Sequence, residues 1–155
     1  MDKSYRKKII MWILFLGWIS FIFYMSNQPA VISDQQSGFV IDLIKAMGID
    51  IESKFGELTN FAVRKAAHVS EYCVLAFISY NLVRCYTDKK NHARIYCILI
   101  VFLYACTDEI HQLFVPGRSG MFRDVLIDTS GAVIAVVVLY IIDRVKSKNI
   151  MQYND

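Results

Sequence analysis

Apolar residues come in long runs separated by short charged segments. The run IIMWILFLGWISFIFYM, residues 9–25, carries no charged side chain. As a helix, its 17 residues cover roughly 26 Å at 1.5 Å each, close to the thickness of a bilayer's hydrocarbon core. Further runs occupy about 66–83, 95–113 and 125–142. A chain of 155 residues cannot cover four such helices with its own polar residues. The pattern therefore predicts an all-α integral membrane protein, one domain over 1–155 with four transmembrane helices. Amphipathic helical segments are expected between the first and second. There Pro29 marks a turn, and Ser33 or Asp34 would cap a helix bearing Phe39, Val40, Leu43, Ile44 and Met47, with Gly48 as its stop. Phe55, Leu58, Phe61 and Ala62 form a second short pattern leading into span two. Pieces of this kind lie on the membrane surface or cover a bundle. In span four, Gly131, Ala132 and Ala135 give a small-xxx-small spacing that lets helix backbones approach. The tail after Asp143, RVKSKNIMQYND, is expected to be loose.

Composition and charge add an orientation. The chain is 55% hydrophobic with a mean hydropathy of +0.38. Lys3, Arg6, Lys7 and Lys8 precede the first run, as in a signal peptide. No small-x-small cleavage pattern follows it and bulky aromatics continue to its end, so a retained helix is expected. A cytoplasmic N-terminus puts Arg84, Lys89, Lys90, Arg94, Arg144, Lys146 and Lys148 inside with the first four cations. Lys45, Lys54, Arg64, Lys65, Arg118 and Arg123 are left outside. The positive-inside rule thus predicts a multi-pass protein of the bacterial cytoplasmic membrane with both termini cytoplasmic. Membrane flanks account for the net charge of +3, and no nucleic acid is implied. Cys73, Cys85, Cys97 and Cys106 sit within spans or near the inner surface. They lack CxxC spacing and read as free, packed thiols. His92, among Lys89, Lys90 and Arg94, reads as a solvated flank residue.

The remaining ionisable residues gather at one end. Span two descends with His68 and Glu71 in its first turns, and span three ends with Asp108, Glu109, His111 and Gln112. Pro116 and Gly117 then break the chain before Arg118, and span four opens with Asp124 and Asp128. His68/Glu71 and Asp108/His111 are spaced i,i+3 and Asp124/Asp128 i,i+4, so each pair shares a helix face. Ionisable groups inside spans normally face the bundle or a wet cavity. The expectation is one outward-opening pocket lined by His68, Glu71, Asp108, His111 and Asp128, with Lys65 and Arg118 at its rim. A purely structural network, such as an Arg118–Asp124 pair, accounts for one or two of these residues. A metal held by His68, Glu71, Asp108 and His111 is a further reading. The nearby Lys65 and Arg118 favour an anion such as phosphate instead.

The segments KAAHVSEY (65–72) and DEIHQLFVPGRSGMFRDVLIDTSGA (108–132) resemble the VanZ-like family, with MSNQ (25–28) as a weaker third match. Lys65, His68, Glu71, Tyr72, Asp108, Glu109, Gln112, Pro116, Gly117, Arg118, Asp124, Asp128 and Gly131 match the family pattern position by position; His111 lies outside its core. The family takes its name from a teicoplanin-resistance protein of glycopeptide-resistance clusters. The resemblance therefore implies an envelope protein associated with low-level resistance, by a route separate from replacement of the terminal D-Ala of peptidoglycan precursors. No reaction follows from it.

Two kinds of function fit these residues. In the first, the protein acts on a lipid-linked or phosphate-bearing envelope substrate. His68, Glu71, Asp108, Glu109, His111, Gln112, Asp124 and Asp128 would form the catalytic set, and Lys65 and Arg118 the anion clamp. In the second, it binds or shields a lipid, an antibiotic's acyl chain or a wall precursor without catalysis, leaning on apolar groove residues such as Phe114 and Phe122. Partners in either case are membrane lipids, a lipid-linked precursor or a lipoglycopeptide, and the sequence names no cofactor. A carrier function fits poorly with four short spans and charges at one end.

Overall fold

The computed structural model describes residues 2–56 and 58–153. These are all-helical: α1 Lys3–Ser26, α2 Ala30–Ala46, the single turn α3 Glu52–Phe55, α4 Leu58–Val83, α5 Lys90–Gln112 and α6 Phe122–Tyr153. Each apolar run falls on a longer helix, the second closing α4 at Val83 and the third reaching the C-cap of α5 at Leu113. α1 and the stretch Phe122–Ser147 of α6 are long and apolar enough to cross a membrane. α4 and α5 fall short of that measure.

Helix ends differ from expectation where a tertiary partner intervenes. Neither Ser33 nor Asp34 caps α2, because the helix already begins at Ala30 with Pro29 in the N-cap position and no side-chain cap. The Ala30 amide donates instead to the Pro116 carbonyl, 3.3 Å away in the loop after α5. Ser33 and Ser37 lie on the buried face of α2. Gly48 does end that helix: its φ of +88° accompanies bonds from its own amide to the Lys45 carbonyl and from Ile49 to Ile44, a Schellman closure. The described part of the tail is helical, since α6 runs on to Tyr153; Asn154 and Asp155 lie outside the described residues. No Gly or Pro follows Asp143 to stop it, and Arg144 Nε donates to the Tyr140 hydroxyl at 2.8 Å along the same face.

α4 is the hub. α5 and α6 pack on it and on each other, while α1 and α2 cover other parts of its surface. The main core joins Ile22 of α1, Tyr72, Leu75 and Ala76 of α4, Val101 and Ala105 of α5, and Val125, Ala132 and Ala135 of α6. The small residues of α6 let α4 come close. A Cβ on Gly131 would sit against the Val69 carbonyl oxygen, 2.8 Å from the Cys73 amide nitrogen and 3.3 Å from the Tyr72 carbonyl carbon. α1 is fastened by Trp18 Nε1 donating to the Glu71 carbonyl (2.9 Å) and by the Tyr104 hydroxyl donating to the Ile19 carbonyl (2.6 Å). All four cysteines are free, with Cys97 fully buried. Large apolar side chains such as Ile13, Leu16, Ile95, Leu103, Val137 and Ile141 stay exposed along α1, α5 and α6, the surface a lipid environment would cover.

Candidate functional site

Chain direction brings the end of α1, the starts of α2, α4 and α6 and the end of α5 to one end of the bundle. Gly117, with φ +75°, turns the α5–α6 loop back over that end; this left-handed backbone suits glycine. A Cβ there would stand 3.1 Å from the Ala30 Cβ. The turn aims Arg118 across the bundle, where its Nε donates to the Gln28 carbonyl at 3.2 Å.

The polar residues do not share one pocket; they divide into two neighbouring compartments. The first is a cavity of about 490 Å³ between α2, α4 and the Arg118 loop. Ile32, Phe39 and Val40 of α2 and Val63 of α4 form its apolar wall. Arg64, His68 and Glu71 of α4 and Arg118 form its charged side. Arg64 is held by Asp34 at 2.6 Å. Burial, followed by the nearby Arg64 charge, pulls the Arg118 guanidinium below its ordinary pKa, while Asp108, Asp34 and Glu109 pull it back up.

The second compartment is a buried cluster between α5 and α6. Asp108, Glu109, Gln112 and Asp128 are all under 7% exposed. Gln112 Nε2 donates to Asp108 Oδ2 at 3.1 Å, and the Met121 amide donates to Glu109 Oε2 at 2.9 Å. One oxygen from each of Asp108, Glu109 and Asp128 lies within 4.8 Å of the others. Lys65 does not stand free at a rim, because it pairs with Asp124 at 2.7 Å. That contact replaces the Arg118–Asp124 pair read from the sequence: Lys65 of α4 reaches across the α4–α6 seam, whereas Arg118 is turned toward α1.

His111 belongs to neither compartment. It faces α1, its ring 4.6 Å from that of Phe23 and its Nε2 3.2 Å from Asn27 Oδ1. The group His68, Glu71, Asp108 and His111 is therefore not assembled as a ligand set. Among the described residues, Asp108, Glu109 and Asp128 are the group that could share an ion. Phe114 is 80% exposed, and Phe122 lines a separate pocket with Leu113 and Met121; neither borders the larger cavity. Arg64 and the α2 wall were missed in the sequence. Arg64 did carry a signal, lying i−4 from His68 on the same face.

The VanZ/LLP1 family model matches residues 11–143. No curated protein and no solved structure matches the chain. The family match reaches into both membrane-length helices and takes in every residue of the two compartments, and on that extent the chain belongs to the VanZ/LLP1 family.

Proposed function

We propose that this membrane protein crosses the bacterial cytoplasmic membrane four times, both termini cytoplasmic, and holds a phosphate-bearing, lipid-linked envelope substrate in the cavity between α2 and α4. At 26 and 23 residues, α4 and α5 are long enough to span at 1.5 Å per residue. Asp108 and Glu109, which depress the hydropathy of α5, are buried among the helices and would not meet lipid. The observation that carries the substrate class is the cavity's two-sided lining: an apolar wall for a hydrocarbon chain faces a charged side of Arg64, His68, Glu71 and Arg118, where the two guanidiniums would hold an anion. An anion beside Arg118 would also offset the repulsion from Arg64. Low-level teicoplanin resistance would then follow from a change in lipids or surface precursors.

Arg118→Lys is the test of the anion contact. A guanidinium presents a planar two-donor fork and lysine only a point charge. In a strain where the wild type raises teicoplanin tolerance, Arg118→Lys is expected to keep normal membrane abundance and lose most of the tolerance. Full tolerance at normal abundance would overturn the clamp. For topology, Ser119→Cys in the α5–α6 loop is expected to react with an impermeant maleimide in intact cells. Reaction only after the inner face is opened would reverse the orientation.

A non-catalytic binder or shield is the second reading, and one distance favours it. His68 Nδ1 has no hydrogen-bond partner, and Asp128 Oδ1 is 4.0 Å away, beyond the bond that orients a general base. Glu71→Gln separates the two: an enzyme loses activity, while a binder is expected to depend more on Phe39 and Val40.

A further inference from the structure

We propose that the end of the bundle opposite the His68 cavity binds the phosphodiester head group of an anionic phospholipid, between α5 and α6. The site rests on the four-span placement proposed above and not on what the His68 cavity holds. A second cavity, of about 460 Å³, lies there. Lys89, Lys90 and Arg94 line it from the start of α5, and Tyr140, Asp143 and Arg144 from α6. Four cations thus border it with one carboxylate, and Asp143 is already shared by Lys90 and Arg94. Among the described residues, neither Lys89 nor Arg144 has an acidic partner within ion-pair distance. The Arg144 and Arg94 guanidiniums stand 5.1 and 5.4 Å from the centre of the same Tyr140 ring. Like charges gathered in this way repel one another unless an anion sits among them.

Two further observations separate this cavity from an ordinary solvated face. Arg94 is fixed: its side chain is 11% exposed, and it donates to Asn91 Oδ1 at 2.7 Å and to Asp143. Its Nε is buried with no hydrogen-bond partner. The backbone adds charge of the same sign. α5 begins at Lys90 with no side-chain cap and no acidic residue in its first turn. Helix N-termini carry a partial positive charge that favours acidic residues there. Here two lysines and an arginine stand at that end instead, so side chains and free amides both lack a counter-charge. One anion in the cavity answers both.

Two features make a lipid, and not free phosphate, the source of that anion. Trp12, Tyr86 and Tyr140 are exposed at this end. Trp12 Nε1 donates to the Tyr86 hydroxyl at 2.9 Å, and Lys8 stands over the Tyr86 ring. Exposed aromatic and basic residues together mark the head-group level of a membrane. Toward the middle of the bundle the surface turns apolar. Ile95 and Leu99 follow the pocket residue Asn91 at i+4 and i+8 along α5, and Val137 and Val133 precede Tyr140 at i−3 and i−7 along α6. All four are exposed, and acyl chains below a bound head group would lie on them. Basic pockets between helices at the cytoplasmic surface suit anionic head groups for these reasons.

Native mass spectrometry of the purified full-length protein, titrated in detergent with phosphatidylglycerol or phosphatidylcholine, tests the site. One phosphatidylglycerol per chain is expected to bind at least about 10-fold more tightly than phosphatidylcholine, and millimolar inorganic phosphate is expected not to displace it. Lys89→Gln/Arg144→Gln removes the two cations without an acidic partner and leaves both Asp143 pairs in place. It is expected to weaken phosphatidylglycerol binding about 10-fold or more. Lys45→Gln/Arg123→Gln removes the same charge from α2 and the start of α6, and is expected to leave that binding unchanged. Should the first double variant fail to fold, Lys89→Gln alone, at an exposed residue, is expected to weaken binding about 5-fold. Equal affinity for the two lipids, displacement by phosphate alone, or equal losses in the two double variants overturns the lipid site. So does a folded Lys89→Gln/Arg144→Gln, or in its place a folded Lys89→Gln, that binds as tightly as wild type. Binding in detergent does not depend on which way the chain crosses the membrane, so Ser119→Cys labelling can fail while the lipid site stands.

Discussion

Replacing Lys65 with methionine is expected to lower the stability of the folded protein by about 3 kcal/mol, the low end for removing one partner of a buried ion pair. The Lys65 and Asp124 side chains are 18% and 11% exposed and their charged atoms stand 2.7 Å apart. Methionine retains the volume of the lysine stem, so the loss comes from the charge left behind. Arg123, the other cation near Asp124, is 3.9 Å away and 65% exposed, and screened contacts of that kind stabilise little. The double variant Lys65→Met/Asp124→Leu removes both charges and is expected to recover most of the loss. Thermal unfolding of the purified variants in detergent measures it. A single variant as stable as wild type would mean that Asp124 has another partner or is not buried.

Gly131→Ala is the second large effect, expected to cost about 1–3 kcal/mol as an overpacking substitution, with Gly131→Val costing more. What a Cβ would meet is backbone: the Val69 carbonyl, the Cys73 amide and the Tyr72 carbonyl carbon. None can rotate aside, so α4 itself must shift, carrying His68, Glu71 and Tyr72 with it. Gly17 on α1 is the control, with nothing within 4 Å of its Cβ position. There alanine should be neutral or slightly stabilising through helix propensity. If the two substitutions behave alike in thermal unfolding, the close α4–α6 approach is not what holds the core.

Much of the site was legible because helical spacing is local. His68 and Glu71 share a face of α4 and border one cavity, as i,i+3 spacing requires. Asp124 and Asp128 share the inner face of α6 for the same reason. The same rule failed for Asp108 and His111. Spacing puts them near one face, but α1 covers its edge and takes His111 through Phe23 and Asn27. The α2 wall was hidden for a different reason. Its apolar residues read as a helix lying on the membrane surface or covering the bundle, and nothing in their period chooses between the two or puts the helix on α4 beside His68.

From the order of residues alone came the helical class, the apolar cores of the long helices, the glycine stop of α2 and the end of the bundle where the charges collect. Hydrophobic period, helix-breaking residues and chain direction are properties of neighbours in sequence, and they act before any helix meets another. Only tertiary packing decided how those charges are shared out. It gave Lys65 to Asp124 and Arg118 to the Gln28 carbonyl, capped α2 with a carbonyl from the far loop, and split one expected pocket into a lined cavity and a buried carboxylate triad. Partner choice among several nearby charges depends on a few ångströms of helix rotation and offset. Side chains on four different helices set those ångströms together.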